Sequence, residues 1–470
     1  MTREPRDARH AERRWLTAWA LFVGALLPRL YVAIAWAKEP VWDGHYYDFG
    51  ARRIAAGLGY SDDVLVGGEA RWHPWCHYPV GYSGFLAIAY VVFGAGPKVA
   101  VVANAVVGAS LTSLTYLLGD RALGHARGLL AGLLVASSPE LIAYSALLMT
   151  EPLSSLAPVA AALVILSSRS RLVVRALAAG AVAGLGVLVR PQVILCVPLL
   201  GLLELDLGRA RASWRRAAWT AAIAVGASLL VVAPWTARNC RVMDGCAFVS
   251  TNAGWNLAIG SSPRATGRFD TLRATDGCPV VTGQVQQDRC WAGVGARQIR
   301  EAPLRWLSLV PKKLSHTFDH ASFPMGYLGE SDPGRFDEAT KEKGRRWLGA
   351  AHAALLALAT AGALGWSSSR RRVSLAAAAL ALATLGWVFT RGEPRPLWWL
   401  AVLAPTLPWL AAPSSRPPLA RYVGACVLAM CATHAVFFGE DRYHVFLTPL
   451  FALLAACAGA RGARAVGASG

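Results

Sequence analysis

Apolar runs of roughly 17 to 22 residues recur from one end of the chain to the other, each long enough to cross a hydrocarbon core of about 30 Å. Backbone polar groups find no water in such a core, so a crossing must be a helix or part of a closed barrel. The short alternating segments of a barrel are absent, and the pattern predicts a polytopic α-helical membrane protein. Composition agrees: 55% of the 470 residues are hydrophobic and 16% charged, where a soluble domain carries about 25% charge. The formal charge of +19 falls largely in short Arg-rich loops, which anchor topology and do not call for nucleic acid.

Residues 1–14 form a basic tail with five arginines, and 15–37 is too long for a signal-peptide core, hence a retained first span. Arg29 after Pro28 predicts a kink there or packing inside the bundle. An outer segment, 39–82, follows: a helical piece near 47–57, a Gly-rich break at 57–68, then Trp72 to Tyr82 at headgroup level. The run 83–93 is short and reads as re-entrant or oblique. Spans are expected at 98–118, 128–145 and 149–166, then a fifth ending at Arg190, a short sixth at 193–207 and a seventh at 217–235. Span eight is expected at 347–366, span nine ends before Arg391, and span eleven covers about 423–439. Inner arginines at 121, 127, 169–175, 209–216, 370–372, 416–421 and 461–464 alternate with outer turns. The reading is about twelve spans (about eleven to thirteen with the borderline runs), both termini cytoplasmic. It divides the chain into an N-terminal transmembrane module 15–236, a large extracytoplasmic segment 237–345, C-terminal helices 346–460 and a tail 461–470.

Cys196, Cys426, Cys431 and Cys457 lie in apolar runs, where a small hydrophobe is the ordinary reading. Cys76, Cys240, Cys246, Cys278 and Cys290 lie in segments the arginines place outside. Four of these share the 237–345 excursion, which suits an oxidising compartment and one or two disulfides, with the pairing open.

The stretch Val41–Gly50 collects Asp43, His45, Tyr46, Tyr47 and Asp48 where the first span ends. Asp43 is the leading candidate, because a carboxylate in a partly apolar cleft has its pKa raised toward the range of a general base. Glu151, Arg190 and the cluster Glu440–His444 are brought to the same outer surface by topology. Each also has a plainer reading. Glu151 before Pro152 suits a helix start, Arg190 before Pro191 suits a snorkelling boundary residue, and Glu440 and Asp441 suit simple pairing with Arg442. An arginine near Asp43 would take a phosphate bidentately, and that combination at the rim of a membrane cavity suits displacement of a lipid-linked phosphate. In the outer segment, Asn252, Trp255 and Asn256 offer an aromatic face and amides to a sugar or headgroup, or form compact turn structure. A helix at 289–302 and an amphipathic piece, Leu304–Leu314, bring up Lys312 and Lys313, which suit lipid headgroups or a donor phosphate. No compact metal-ligand motif is present.

The order and placement of several elements resemble the GT-C membrane glycosyltransferases, specifically the protein-mannosyltransferase-like and aminoarabinose-transferase-like enzymes of glycosyltransferase family 39 and its neighbours. The elements are Asp43, Tyr78-Pro79-Val80-Gly81-Tyr82, Thr150-Glu151-Pro152, Arg190-Pro191, Arg238-Asn239, Asn252–Gly260 with Pro263–Gly267, and Glu440-Asp441-Arg442-Tyr443 with Pro449. They cover about 15–455 of the chain. The resemblance implies transfer of a sugar from a polyprenyl-phosphate donor to a hydroxyl of a glycan, lipid or protein, at the periplasmic face of a bacterial inner membrane, by a monomer among membrane lipids. It makes Asp43 the essential carboxylate, with Glu151 assisting or joining it to hold a divalent cation, Mg²⁺ or Mn²⁺. Arg442, with Arg190 or Lys313, would hold the donor phosphate. His45, Tyr46, Tyr78, Tyr82, Asn252, Trp255, Asn256 and Tyr443 would line the substrates. Asp43 is followed by Gly44-His45, so no acidic pair is carried over. The competing class, a transporter or lipid-linked-sugar flippase, predicts inverted repeats with matching broken helices; the sequence shows one large outer excursion instead.

Overall fold

Arg29 shows how the chain builds its first layer. Helix α1 (Glu4–Trp36) runs through Pro28 without ending, and Arg29 is buried against helix α4 (Pro97–Leu123), where Gly108 leaves room for its guanidinium. It donates to the carbonyls of Ala25 at 2.9 Å, Val135 at 2.9 Å and Ala136 at 3.2 Å. The last two close helix α5 (His125–Ala136), and Pro139 cannot continue its ladder. The chain resumes as α6 (Pro139–Ala143) and a following turn, bent by 52°. The arginine thus adds donors to the last carbonyls before the break, inside the bundle.

These relations come from a computed structural model that describes residues 4–167, 170–207, 210–279, 283–364, 396–410 and 416–458. Span nine, the loops at 370–372 and 391–395 and the tail at 461–470 lie outside the described residues.

After α1 come α2 (Asp43–Ala55) and an antiparallel hairpin of β1 (Ser61–Val66) and β2 (Glu69–Pro74). The expected Gly-rich break is therefore a hairpin. Gly67 and Gly68 both take positive φ (63° and 88°), which suits its two-residue turn. Helix α3 (Val80–Phe93) packs on α2, and α4 lies along α1 and α5. Helices α7 (Glu151–Ile165), α8 (Leu172–Val189) and α9 (Ala210–Val242) form the next group, α8 lying along both others. The expected short sixth span at 193–207 is built of 3-10 rather than α-helix, over 191–204. Residues Pro191–Cys196 and Pro198–Glu204 are tight 3-10 turns, each opened by a proline that supplies no N–H.

The segment 237–345 holds α10 (Ala253–Ser261), α11 (Gln284–Glu301), α12 (Pro303–Ser308), α13 (Val310–Phe318) and α14 (Phe323–Ser331). Disulfides join Cys240 to Cys246 and Cys278 to Cys290. Arg238 donates to the carbonyls of Trp75 at 3.0 Å and Tyr60 at 2.6 Å, and Asn239 donates to Ala247 at 3.2 Å. Arg238 thus fastens the start of the segment 237–345 to the hairpin region, and Asn239 holds the turn that follows α9. The remaining described elements are α15 (Glu338–Leu364), α16 (Trp398–Leu410), α17 (Pro418–Val436), the 3-10 turn Asp441–Leu447 and α18 (Thr448–Ala456).

Among the described residues six helices are long and apolar enough to cross a membrane, or seven if the bent pair at 125–146 is one span. The protein is a polytopic, largely α-helical membrane protein. The finer count of about twelve would need the shorter apolar pieces at 80–93, 151–165, 191–204 and 398–410 and the stretch outside the described residues.

Candidate active site

Asp43 opens α2, preceded by Trp42 at φ 52°. A bulky residue with positive φ is strained, and here the indole is held edge-on by Phe323 and Tyr327 at 5.6 and 5.8 Å. Tyr78 donates to one Asp43 oxygen at 2.8 Å, and Arg442 pairs with the other. The Arg442 Nε reaches Glu440 at 2.5 Å, and its guanidinium lies over the rings of Phe323 and Tyr443. A second pair repeats this layout. Arg190, placed where Pro191 ends α8, meets Glu151 at 2.9 Å and lies 5.0 Å over the same Tyr443 ring. Glu151 begins α7, so its helix-start position and its place in the site coincide. Asp441 does not join them; it accepts from Ser322 and Phe323 and caps α14.

Asp43, Arg442 and Phe269 stand in a wall shared by two cavities, of about 500 and 450 Å³. The larger is lined by Glu151, Arg190, Gln192, Asn252, Trp255, Asn256, His77, Tyr78 and Tyr443. The smaller is lined by Trp42, Arg268, Arg345, His316, His320, Phe323 and Glu440. Neither Arg268 nor Arg345 has a side-chain hydrogen bond or ion pair among the described residues.

The electrostatics reverse one expectation. Burial pushes the Asp43 carboxyl up, but the charge and hydrogen bond of Arg442, helped by Tyr78 and His77, outweigh it and hold the pKa below the ordinary value. Glu440 goes the other way: burial raises it, and the neighbouring carboxylates outlast the offset from Arg442. Burial lowers His77, which therefore favours its neutral form.

Of the residues expected from sequence, Asp43, Glu151, Arg190, Arg442, Tyr78, Asn252, Trp255, Asn256 and Tyr443 line the larger cavity. Five others are placed elsewhere. Lys313 is buried, its Nζ donating to the Ala435 and Val436 carbonyls at 3.1 and 3.0 Å, so it caps the end of α17; burial lowers its pKa to about 8. Tyr82 is buried and donates to Asn104 at 3.0 Å. His45 is exposed, and Tyr46 stacks on the outside of Tyr78. Asp48 accepts from Tyr90 and Arg52 on the far side of α2. Sequence reasoning did not single out Arg345, Gln192 or Phe323. Lone side chains on long apolar helices and loops carry no local signal for a cavity formed by distant elements.

A cation between Asp43 and Glu151 would have to displace the guanidiniums that already neutralise both. These residues do not fit it. Among the described residues the group that could share a divalent ion is Glu140, His352 and His444, all buried.

With this geometry in hand, comparison with known proteins gives a family match. Residues 77–237 match the sequence profile of dolichyl-phosphate-mannose-protein mannosyltransferase. That stretch is about a third of the chain. No curated protein matches it. Among solved structures, it is similar to the Archaeoglobus fulgidus oligosaccharyltransferase tethered with an acceptor peptide (13% identity, 94% of this chain and 49% of that one, TM-score 0.48). It is also similar to ArnT from Cupriavidus metallidurans in the apo state (16% identity, 95% and 78%, TM-score 0.37) and bound to undecaprenyl phosphate (16%, 93% and 78%, TM-score 0.38). The chain spans about half the length of the oligosaccharyltransferase.

Proposed function

We propose that this protein is a GT-C membrane glycosyltransferase that moves a sugar from a polyprenyl-phosphate donor to an acceptor hydroxyl of a lipid, glycan or protein. The observation that carries the reading is Asp43, fixed by Tyr78 and Arg442 in the wall between two cavities. The larger cavity, with its amides and aromatic faces, suits the acceptor and the sugar. The smaller one, where Arg268 and Arg345 stand beside Arg442 without an ion pair among the described residues, suits the donor phosphate.

The chemistry is a single inverting displacement. The acceptor oxygen attacks the anomeric carbon, the bond from that carbon to the phosphate oxygen breaks, and polyprenyl phosphate leaves with the electron pair. Asp43 orients the acceptor hydroxyl and takes its proton. Arg442 keeps Asp43 weakly basic while the site is empty of donor. A phosphate that takes part of the guanidinium relieves that field, so Asp43 gains basicity when it is needed. Phosphate departs without protonation, so one strong carboxylate suffices where a hydrolase uses two.

The same reading places the site at the periplasmic face of a bacterial inner membrane, with about twelve spans, both termini cytoplasmic and 237–345 as a cap on the module 15–236. Short-loop arginines and the two disulfides of that cap support the placement. The decisive experiment uses purified protein in nanodiscs with radiolabelled polyprenyl-phosphate sugars and a membrane extract as acceptor. Wild type should transfer label or slowly hydrolyse donor, and Asp43→Asn should abolish both. Normal turnover by that variant, or no donor binding across the panel, would overturn the proposal.

A further inference from the structure

The buried group Glu140, His352 and His444 lies outside both cavities and has no part in the mechanism above. His444 Nδ1 faces the Thr317 carbonyl at 2.7 Å, and His352 Nε2 faces the Phe318 carbonyl at 2.9 Å. A carbonyl only accepts, so both of those nitrogens carry protons. In neutral rings the other nitrogens, His444 Nε2 and His352 Nδ1, are then lone-pair donors. Two consecutive carbonyls at the end of α13 thus set both tautomers, the arrangement that orients metal-binding histidines.

His444 Nε2 lies 2.8 Å from a Glu140 oxygen. The second Glu140 oxygen is buried without a hydrogen-bond partner among the described residues. One ligand atom from each of the three residues can be chosen so that all lie within 4.8 Å of one another. A cavity of about 190 Å³, lined by Glu140, His352, Ser137, Ser138 and Thr448, opens beside the group and leaves space for a further ligand. A single proton between His444 and Glu140 would satisfy that contact but leave the second carboxylate oxygen unmet. A cation would meet that oxygen.

We propose that Glu140, His352 and His444 bind a zinc-type divalent cation, with an open position toward the small cavity. Two imidazoles and one carboxylate select a borderline ion over Mg²⁺ or Ca²⁺, which prefer oxygen. The ion would tie together α6, α15 and the turn 441–447, within two residues of Arg442 and on the segment leading to Glu151. Its role is to position those elements.

The test is metal analysis of protein purified without a polyhistidine tag, for wild type, His352→Ala, Glu140→Gln and Asp43→Asn. Wild type and Asp43→Asn should hold about one zinc per chain, and the other two should lose it by roughly tenfold or more. Chelation of wild type should lower its Tm and added Zn²⁺ should restore it, a readout independent of transfer activity and of whether the variants fold. Wild type that holds no zinc, binds none when Zn²⁺ is added and keeps its Tm would overturn the site. So would zinc retained in His352→Ala and Glu140→Gln but lost in Asp43→Asn.

Discussion

Arg442 meets Asp43 through one nitrogen and Glu440 through another, with Phe323 and Tyr443 against its plane. Arg190 is likewise engaged by Glu151 and Tyr443. Both guanidiniums are therefore partly neutralised before substrate arrives, and Arg442 has only part of its charge to share with a phosphate. Arg268 and Arg345 are the cations of the smaller cavity left to meet a phosphate. Replacing both with alanine is expected to raise the donor KM about tenfold and leave kcat within about twofold, as loss of uniform binding does. Steady-state kinetics with labelled donor checks this; a fall in kcat at unchanged KM would remove them from the donor seat. Residues of this kind were only partly legible. Asp43, Glu151, Arg190 and Arg442 stand out because polar groups at span ends are costly. Arg345 does not, since an arginine near the start of a long helix has an ordinary explanation.

At the scale of elements, short polar contacts set how helices meet. Asp319 follows α13 and accepts from Ser315 Oγ at 2.5 Å and from the Trp398 N–H of α16 at 2.7 Å. Burial pushes its carboxyl up to about 6. A raised folded pKa means the fold holds a proton that the unfolded chain releases, so this contribution is full below about pH 4 and is lost as pH rises through 6. Lowering pH from 7 to 5 should therefore stabilise wild type by roughly 1 kcal/mol relative to Asp319→Asn, seen as about one degree of Tm. A pH-independent difference between the two would show that Asp319 keeps its ordinary pKa. The long apolar helices α1, α4, α9 and α15 are readable as runs. The β1–β2 hairpin and the 3-10 turns at 191–204 are not, because short strands and proline-broken turns have weak local signals against a strongly apolar background.

At the scale of the whole molecule, the proposed orientation puts α11 outside and the start of α9 inside. A cysteine at the exposed Arg300 should react with a membrane-impermeant maleimide on intact spheroplasts, and one at the exposed Arg215 only after permeabilisation. The reverse pattern would invert the topology and move the active site to the cytoplasm. Hydropathy is a sum along the chain, so the sequence by itself determined a helical membrane protein with one large polar excursion at 237–345. Ionisable groups next to apolar runs likewise marked Asp43 and its candidate partners. Which groups meet is a different matter. Asp43 and Arg442 are 399 positions apart, and Glu140 and His444 are 304. Only tertiary packing decided those pairs, the two disulfides, the burial of Lys313 and Tyr82, and the cavity wall on which Asp43 stands. Such contacts depend on where distant helices come to rest against each other, and no local pattern encodes that.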